Sequence, residues 1–289
     1  MNIYTSVTER ILKKLEEGVI PWRKTWSTGL PKSLSTGKEY RGMNILLLAL
    51  TGFTSRYWVT YREVLRLGGH VRLGEKGTTV FFWHWRTAED LQKLRQKTGR
   101  DNLAPCTSFT SVVFNLDQVE DIARIEDDVP NRRNQRLAAA DQVYEIMPDK
   151  PDIFHTRTSG PAYSPNGDQV TMPHLSQFET ADEYYATLFH ELVHATGHST
   201  RLKRFGEVEG NRFEQYSFEE LVAEFGAAFL CAFVGIENPS TEALQASYIE
   251  GWAKALHNDS HLVIQAASAA QRAADFIRGK VMLQEAKAA

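Results

Sequence analysis

The pattern of apolar and polar positions predicts helices along much of the chain. Within residues 3–17, apolar side chains such as Val7, Ile11 and Leu15 recur at helical spacing, and Gly18 favours a helix end directly after them. The same periodicity predicts further helices at residues 44–50, 60–67, 137–147, 180–198, 216–234, 240–257 and 260–280. Helix is therefore the dominant element expected in the C-terminal half.

Strand-like segments lie between the N-terminal helices. Residues 70–73 and 79–85 flank a Gly-Glu-Lys-Gly turn and predict a hairpin, and residues 108–114 predict a further strand. The charged insert at residues 86–104 is interpreted as a loop or an exposed helix. Residues 22–38 are polar and rich in turn residues, which favours a loop.

A second hairpin is predicted ahead of the C-terminal helices. Asn166-Gly167 separates Ala162-Tyr163 from residues 169–172, and this dipeptide is a strong two-residue turn signal. Ile153-Phe154 predicts another short strand nearby. These segments predict a small antiparallel sheet in the C-terminal half.

Together the elements predict an α+β protein of two domains. Residues 120–136 are dense in charge and contain Pro130, which marks them as the boundary. We expect a mixed α/β domain over residues 1–136 and a mainly helical domain over residues 137–289.

Composition narrows the class of protein. The chain has 289 residues, of which 42% are hydrophobic and 24% charged, as in soluble globular proteins. Cys106 and Cys231 lie far apart in sequence, so we do not expect a disulfide framework. Two isolated cysteines are typical of a protein in a reducing compartment. The charged N-terminus is unlike a signal peptide, and apolar runs fall short of the ~18 residues that a membrane span needs. We therefore expect a cytoplasmic protein without a membrane partner.

Charge is distributed unevenly and points to two different partners. Residues 1–140 contain 22 Lys and Arg against 15 Asp and Glu, whereas residues 141–289 contain 11 against 21. Five of the six tryptophans also fall in the basic half. Cations that follow phosphates and aromatic rings that stack on unpaired bases are the combination that binds single-stranded nucleic acid.

Candidate DNA-binding residues are the aromatic and basic side chains in the loops of this half. They are Trp22, Arg23, Lys24, Trp26, Lys38, Tyr40, Arg41, Arg72 and Lys76. The alternative is that the aromatic residues belong to a core. Phe81, Trp83 and Trp85 alternate along one strand and are expected to bury one of its faces.

A metal site is predicted on the helix that contains His190-Glu191-Leu192-Val193-His194. Residues four apart share one face of a helix, so both imidazoles can bind one ion, and Glu191 can act as general base towards a water on that ion. Zn²⁺ is the expected metal, with Mn²⁺ or another divalent ion as the alternative. The competing interpretation, that these histidines face solvent or satisfy core hydrogen bonds, requires polar partners for them in a largely apolar helix.

A third ligand is expected from a later helix. Glu220 and Glu224 share one face of an otherwise apolar segment, and buried carboxylates need cations or metal. We assign Glu220 to the metal and Glu224 to an imidazole N–H behind it. Glu219 points about 100° away from Glu220 and is expected to be solvated.

Other residues remain open as alternatives near the site. The longer pattern H-E-x-x-H-x-x-G-x-x-H places Gly197 correctly but has Thr200 at its last ligand position. His198 is a weaker candidate for the third ligand. His198, Tyr248 and His257 are each candidates to stabilise an oxyanion.

Several of these motifs resemble those of a known protein family. Ile20-Pro21-Trp22, residues 36–44 and residues 74–78 resemble the single-stranded-DNA-binding domain of ArdC-type antirestriction proteins. Residues 190–198 and 220–224 resemble the zincin-like metallopeptidase domain joined to it. The resemblance implies binding of single-stranded DNA and protection of incoming plasmid DNA from host restriction, in the bacterial cytoplasm.

Two rival functions remain open beside this expectation. One is a DNA-tethered metalloprotease that cleaves DNA-bound proteins, with a protein or peptide substrate. The other is a DNA-shielding protein whose metal is purely structural. Glu191 separates them, because a structural metal site has no use for a general base.

Overall fold

The computed structural model describes residues 3–23, 29–99, 106–122, 133–157, 159–205, 212–237 and 245–280. Two compact units share the chain. The helical unit comprises Met1–Pro31, Glu39–Thr54 and Ile125–Ala289, and the sheet unit comprises Lys32–Lys38 and Ser55–Arg124.

Helices in the described ranges are α1 (Ile3–Glu16), α2 (Met43–Ala49), α3 (Tyr61–Arg66), α4 (Ala88–Thr98), α5 (Arg133–Glu145), α6 (Ala181–Ala195), α7 (Arg212–Val234), α8 (Gln245–Asn258) and α9 (Leu262–Ile277). The predicted helices are confirmed, with ends that shift by a few residues. Among the helices that the structure describes, none is long and apolar enough to cross a membrane.

Strands are β1 (Lys32–Ser33), β2 (Tyr57–Thr60), β3 (His70–Val71), β4 (Thr78–Trp85), β5 (Cys106–Asn115), β6 (Val119–Glu120), β7 (Asp152–Thr156), β8 (Ala162–Ser164) and β9 (Gln169–Pro173). In the sheet unit the order is β1-β2-β5-β4, with β1 parallel to β2 and the other pairs antiparallel. β3 and β6 form a separate two-stranded ladder.

The predicted hairpin of residues 70–73 and 79–85 is wrong. β4 pairs along its whole length with β5, and β3 pairs with β6 instead. The prediction paired β4 with β3 because these two segments are close in sequence. The true partner, β5, is further along the chain, because a whole helix lies between β4 and β5. That helix, α4, starts with a capping box of Thr87 and Asp90, and none of its described residues is buried. The exposed-helix interpretation of the charged insert is therefore confirmed.

A mixed three-stranded sheet precedes α6 in the helical unit. β8 and β9 are antiparallel, which confirms the hairpin around Asn166-Gly167. β7 runs parallel to β9, so the sheet is mixed rather than antiparallel as predicted. The order β7-β9-β8 leaves β8 at an edge of this sheet.

The close approach of α6 and α7 forms the centre of the helical unit. Leu192, Leu221 and Phe225 are fully buried. At Gly226 a Cβ atom would lie only 2.6 Å from the Val193 side chain, so a glycine is needed for this spacing. The contact aligns the face of α6 that carries the histidines with the face of α7 that carries the glutamates.

N-terminal segments also pack into the helical unit. α1 contacts α8 and α9, and α2 contacts α9. The compact units therefore do not coincide with a single cut at residue 136. Independent folding of residues 1–136 and 137–289 stays a prediction.

Candidate metal centre

Three side chains from α6 and α7 converge on one point. The Nε2 atoms of His190 and His194 are 3.1 Å apart. Glu220 places one carboxylate oxygen 3.6 Å from His190 Nε2 and the other 3.5 Å from His194 Nε2. The structure thus brings together the three residues predicted as ligands, as a group of potential metal-binding atoms.

These separations fit a divalent ion. Two ligand atoms each about 2.05 Å from a tetrahedral ion lie about 3.3 Å apart, close to the three observed distances. Neutral imidazoles whose Nδ1 atoms carry the protons would also direct two Nε2 lone pairs at each other across 3.1 Å. A cation between them removes that repulsion. Two nitrogens and a carboxylate match the donor preferences of Zn²⁺ and of other divalent transition metals.

Excess negative charge around His190 favours a cation at this place. Burial by itself would lower the pKa of His190. The nearby carboxylates of Glu220, Glu224 and Glu191 outweigh burial and raise the pKa to about 9.

Glu191 lies beside the cluster and is held by the edge strand. Its side chain is buried, and one carboxylate oxygen accepts the backbone N–H of Tyr163 at 2.7 Å. Tyr163 belongs to β8, so this amide points away from β9 and towards α6. The Tyr163 amide therefore fixes the Glu191 carboxylate beside His190, whose pKa its charge helps to raise.

Glu219 differs from its predicted solvated state. Arg204 donates to both of its carboxylate oxygens, at 3.0 and 2.7 Å, and His194 Nδ1 lies 3.3 Å from it. Burial would raise the pKa of Glu219, but the hydrogen bonds from His194 and Arg204 outweigh it and lower the pKa. Helical spacing alone missed this because Arg204 approaches from the segment between α6 and α7, on the side that was assigned to solvent.

Glu224 lies behind the other histidine. Its Oε1 is 3.6 Å from His190 Nδ1, an ion-pair distance that exceeds a hydrogen bond. Its Oε2 accepts the indole N–H of Trp22 at 3.2 Å. Each histidine of the cluster therefore has a carboxylate of α7 near its Nδ1 atom.

The other residues considered as a third ligand or as stabilisers of an oxyanion are not part of the described metal cluster. His198 Nδ1 pairs with the Thr200 hydroxyl at 2.9 Å and is not part of the cluster. His257 is exposed on α8, with Nε2 3.9 Å from Glu16. The side chain of Tyr248 lies outside the described residues.

Two predicted DNA-binding residues, Trp22 and Tyr40, are buried. Trp22 is 3% exposed, and Tyr40 is buried, which raises the pKa of Tyr40 to about 12. Arg41 forms an ion pair with Asp275 on α9, while its guanidinium stays largely exposed. The aromatic rings were assigned to DNA because they stand next to cations in sequence, yet both are buried, and Trp22 packs against Phe225 and Trp252 of distant helices.

The other DNA-binding candidates have varied surroundings. Lys38 and Lys76 are exposed, and Arg72 pairs with Glu75 at 2.9 Å. Lys24, Trp26 and the side chain of Arg23 lie outside the described residues.

Exposed aromatic rings occur instead on the β4–β5 ribbon of the sheet unit. Trp83, which was predicted to be buried, is 37% exposed, and Phe109 on β5 is 55% exposed. Phe109 stacks on Phe82 with ring centroids 5.2 Å apart. The alternation of aromatic residues along β4 is typical of a strand with one buried face. The rings are accessible because this ribbon lies at the outer edge of the sheet. The side chain of Trp85 lies outside the described residues.

Family comparisons divide the chain in the same order as its motifs. Residues 1–114 match the N-terminal domain of the anti-restriction factor ArdC. Residues 141–269 match the zincin-like metallopeptidase family MPTase-PolyVal.

Some relatives match over nearly the whole of this chain. The chain is 32% identical to the DNA primase TraC of Escherichia coli over 298 residues, but spans only 27% of that protein. It is also 32% identical to the uncharacterized protein y4eC of Sinorhizobium fredii, with 96% of this chain and 92% of y4eC covered.

Two crystal structures of the antirestriction protein ArdC from plasmid R388 share the fold at 35% sequence identity. The metal-free structure has a TM-score of 0.77, with 97% of this chain and 98% of that chain covered. The Mn(II)-bound structure has a TM-score of 0.75, with 98% and 100% covered. The chain therefore belongs to the ArdC antirestriction protein family.

Proposed function

We propose that this protein is an antirestriction factor of the bacterial cytoplasm that binds single-stranded DNA and shields it from host restriction. The observation that carries the proposal is the β4–β5 ribbon, where accessible aromatic rings project from a basic unit. The sheet unit contains 13 Lys and Arg against 8 Asp and Glu, a net charge of +5. Membership of the ArdC family supports the same function.

Stacking on unpaired bases is the role proposed for Trp83 and Phe109. The β4–β5 register pairs Trp83 with Ser108 and Phe82 with Phe109, so the two exposed rings lie on opposite faces of the ribbon. Exposed cations of the neighbouring helix α4, among them Arg95 and Lys97, are available for phosphates. Bases contact the rings and the backbone follows the cations, which makes binding independent of base sequence and sensitive to salt.

The test is affinity for single-stranded and duplex DNA of equal length. Trp83→Ala or Phe109→Ala should weaken single-strand binding by roughly 5- to 150-fold, since stacking contributes about 1–3 kcal/mol per base. Leu73→Ala is the matched control, because Leu73 is an exposed apolar residue of the same unit without a ring. Equal affinity for duplex and single strand, or ring variants that bind like the control, would contradict the stacking proposal.

The helical unit is proposed to bind one divalent ion through His190, His194 and Glu220. Zn²⁺ is the expected ion, and the Mn(II)-bound structure of the R388 protein supports a divalent metal of this kind. Such an ion would lower the pKa of a water bound to it and polarise a carbonyl group. Glu191 is placed to take the proton of that water, and Glu219 and Glu224 orient the two imidazoles.

A second candidate function is a DNA-tethered metallopeptidase. It is favoured by Glu191, which has no role in a purely structural metal site and is nevertheless fixed beside the ligands by the Tyr163 amide. β8 is an edge strand, so an extended peptide substrate that displaces Glu191 from the Tyr163 amide can pair with it by strand addition next to the cluster. Loss of hydrolysis on replacement of Glu191 separates this candidate from a structural metal site.

A further inference from the structure

We infer that Trp22 is a positioning residue of the metal centre, supplied by the N-terminal part of the chain. The inference rests on the proposed metal site. Its starting point is the hydrogen bond from the Trp22 indole N–H to Glu224 Oε2, at 3.2 Å. The other oxygen of the same carboxylate lies 3.6 Å from His190 Nδ1.

Both members of this contact are buried. Trp22 is 3% exposed and Glu224 is 7% exposed. A carboxylate in such surroundings needs donors on its oxygens, and an indole N–H is a donor only. With Oε2 engaged by Trp22, Oε1 is left to face His190. Trp22 thereby selects the carboxylate rotamer that faces the metal ligand.

The indole itself is fixed by aromatic packing. It makes edge-to-face contacts with Phe225, at a centroid distance of 4.8 Å, and with Trp252, at 5.2 Å. Phe225 follows Glu224 directly on α7, so the ring and its N–H contact the same turn of that helix. The short 3₁₀ turn Pro21–Arg23 that carries Trp22 also packs on α7 and α2.

The two histidines are supported in chemically different ways. Glu219, behind His194, is engaged by the charged guanidinium of Arg204. Glu224, behind His190, is engaged by the neutral indole of Trp22. Removal of the indole N–H therefore takes no charged group from the site and breaks the hydrogen bond that holds Glu224. A loss of metal affinity in such a variant reports on the support of Glu224 rather than on a lost cation.

Trp22 and the metal ligands belong to different family matches along the chain. Residues 141–269 match the zincin-like family, and Trp22 lies outside them, within the part that matches the ArdC N-terminal domain. The metal centre then depends on a residue that the peptidase-like sequence does not contain. Residues of the N-terminal match are part of the site's support, even though they are not ligands.

The experiment compares the full-length wild type with Trp22→Phe, which keeps a buried ring and removes the N–H. Affinity for Zn²⁺ and Mn²⁺ is measured by competition with a chelator, and geometry by the visible absorption of the Co²⁺-loaded protein. We expect a loss of affinity of roughly 10- to 100-fold and an altered Co²⁺ spectrum, as for other groups that orient metal-binding histidines. Trp58→Phe, a buried tryptophan of the sheet unit, should match the wild type in both.

A second variant keeps the test decisive if Trp22→Phe destabilises the fold. Glu224→Gln should lower affinity on its own, and the double variant should lose no more than the larger single loss, because both changes act on His190 through the side chain at position 224. Losses that add, or a Trp22→Phe protein with wild-type affinity and spectrum, overturn the inference. A wild type that binds no divalent ion, with His194→Ala as the reference for a lost ligand, instead overturns the proposed metal site.

Discussion

At the residue scale, the candidate metal site consists of two imidazoles and one carboxylate whose ligand atoms lie within 4.8 Å of one another. His190 and His194 follow from a spacing of four on one helix, and Glu220 follows from the cost of a carboxylate on an apolar helix face. Both arguments are local, which is why the sequence suffices for them. The cluster in the structure has the predicted membership.

The groups that hold Glu219 and Glu224 in place could not be predicted in the same way. Trp22 contacts Glu224 across 202 positions of sequence, and Arg204 lies between two helices where no periodicity applies. Trp22 was assigned to DNA because it precedes Arg23 and Lys24. Its actual environment depends on tertiary packing, for which a single sequence carries no signal.

A first prediction concerns Arg204, the cation behind Glu219. Its guanidinium donates to Glu219, to the Thr196 hydroxyl at 2.7 Å and to the Val193 carbonyl at 2.8 Å. Arg204→Met should lower the free energy of unfolding by about 3–5 kcal/mol, since it leaves a buried carboxylate without its cation. Denaturant unfolding measures the effect.

The control for this change is an exposed arginine in a similar ion pair. Arg66 pairs with Glu63 at 2.9 Å on the surface of α3, so Arg66→Met should leave the unfolding free energy nearly unchanged. If both variants unfold alike, the buried contact of Arg204 does not stabilise the helical unit.

At the element scale, the packing of α6 on α7 decides the geometry of the site. Helix positions were predicted within a few residues because helical periodicity is a local signal. Strand pairing was less predictable, as β3 and β4 show, because pairing joins segments that are distant in sequence. The spacing between α6 and α7 depends on Gly226, where the two helices approach closely. This close approach is visible only in the structure.

A second prediction follows from that spacing. Gly226→Ala places a methyl group 2.6 Å from Val193, so α7 must move away from α6 and carry Glu220 with it. Overpacking of this kind costs about 1–3 kcal/mol of stability, and we expect weaker metal binding with it. Gly251→Ala, on α8 where a Cβ would meet nothing within 4 Å, should preserve both properties. Wild-type metal affinity in Gly226→Ala would contradict the role of the helix spacing.

At the scale of the whole molecule, sequence signals located the two activities in separate halves, but packing does not respect a single boundary. The apolar face of α1, including Val7 and Ile11, is buried in the helical unit, where α1 contacts α8 and α9. A cut at residue 136 would uncover this face. Independent folding of residues 1–136 stays a prediction, and the packing of α1 now argues against it.

The proposed function requires that DNA shielding, rather than hydrolysis, protects DNA from restriction. The decisive measurement is antirestriction activity in cells that receive unmodified DNA, with Glu191→Gln compared with the Trp83→Ala, Phe109→Ala double variant. Glutamine keeps an acceptor for the Tyr163 amide but cannot act as the base, so metal and DNA binding should survive. We expect Glu191→Gln to protect like the wild type and the ring variant to lose protection. A Glu191→Gln protein that keeps its fold, metal and DNA affinity yet loses protection would rule out shielding as the means of protection and establish the peptidase function.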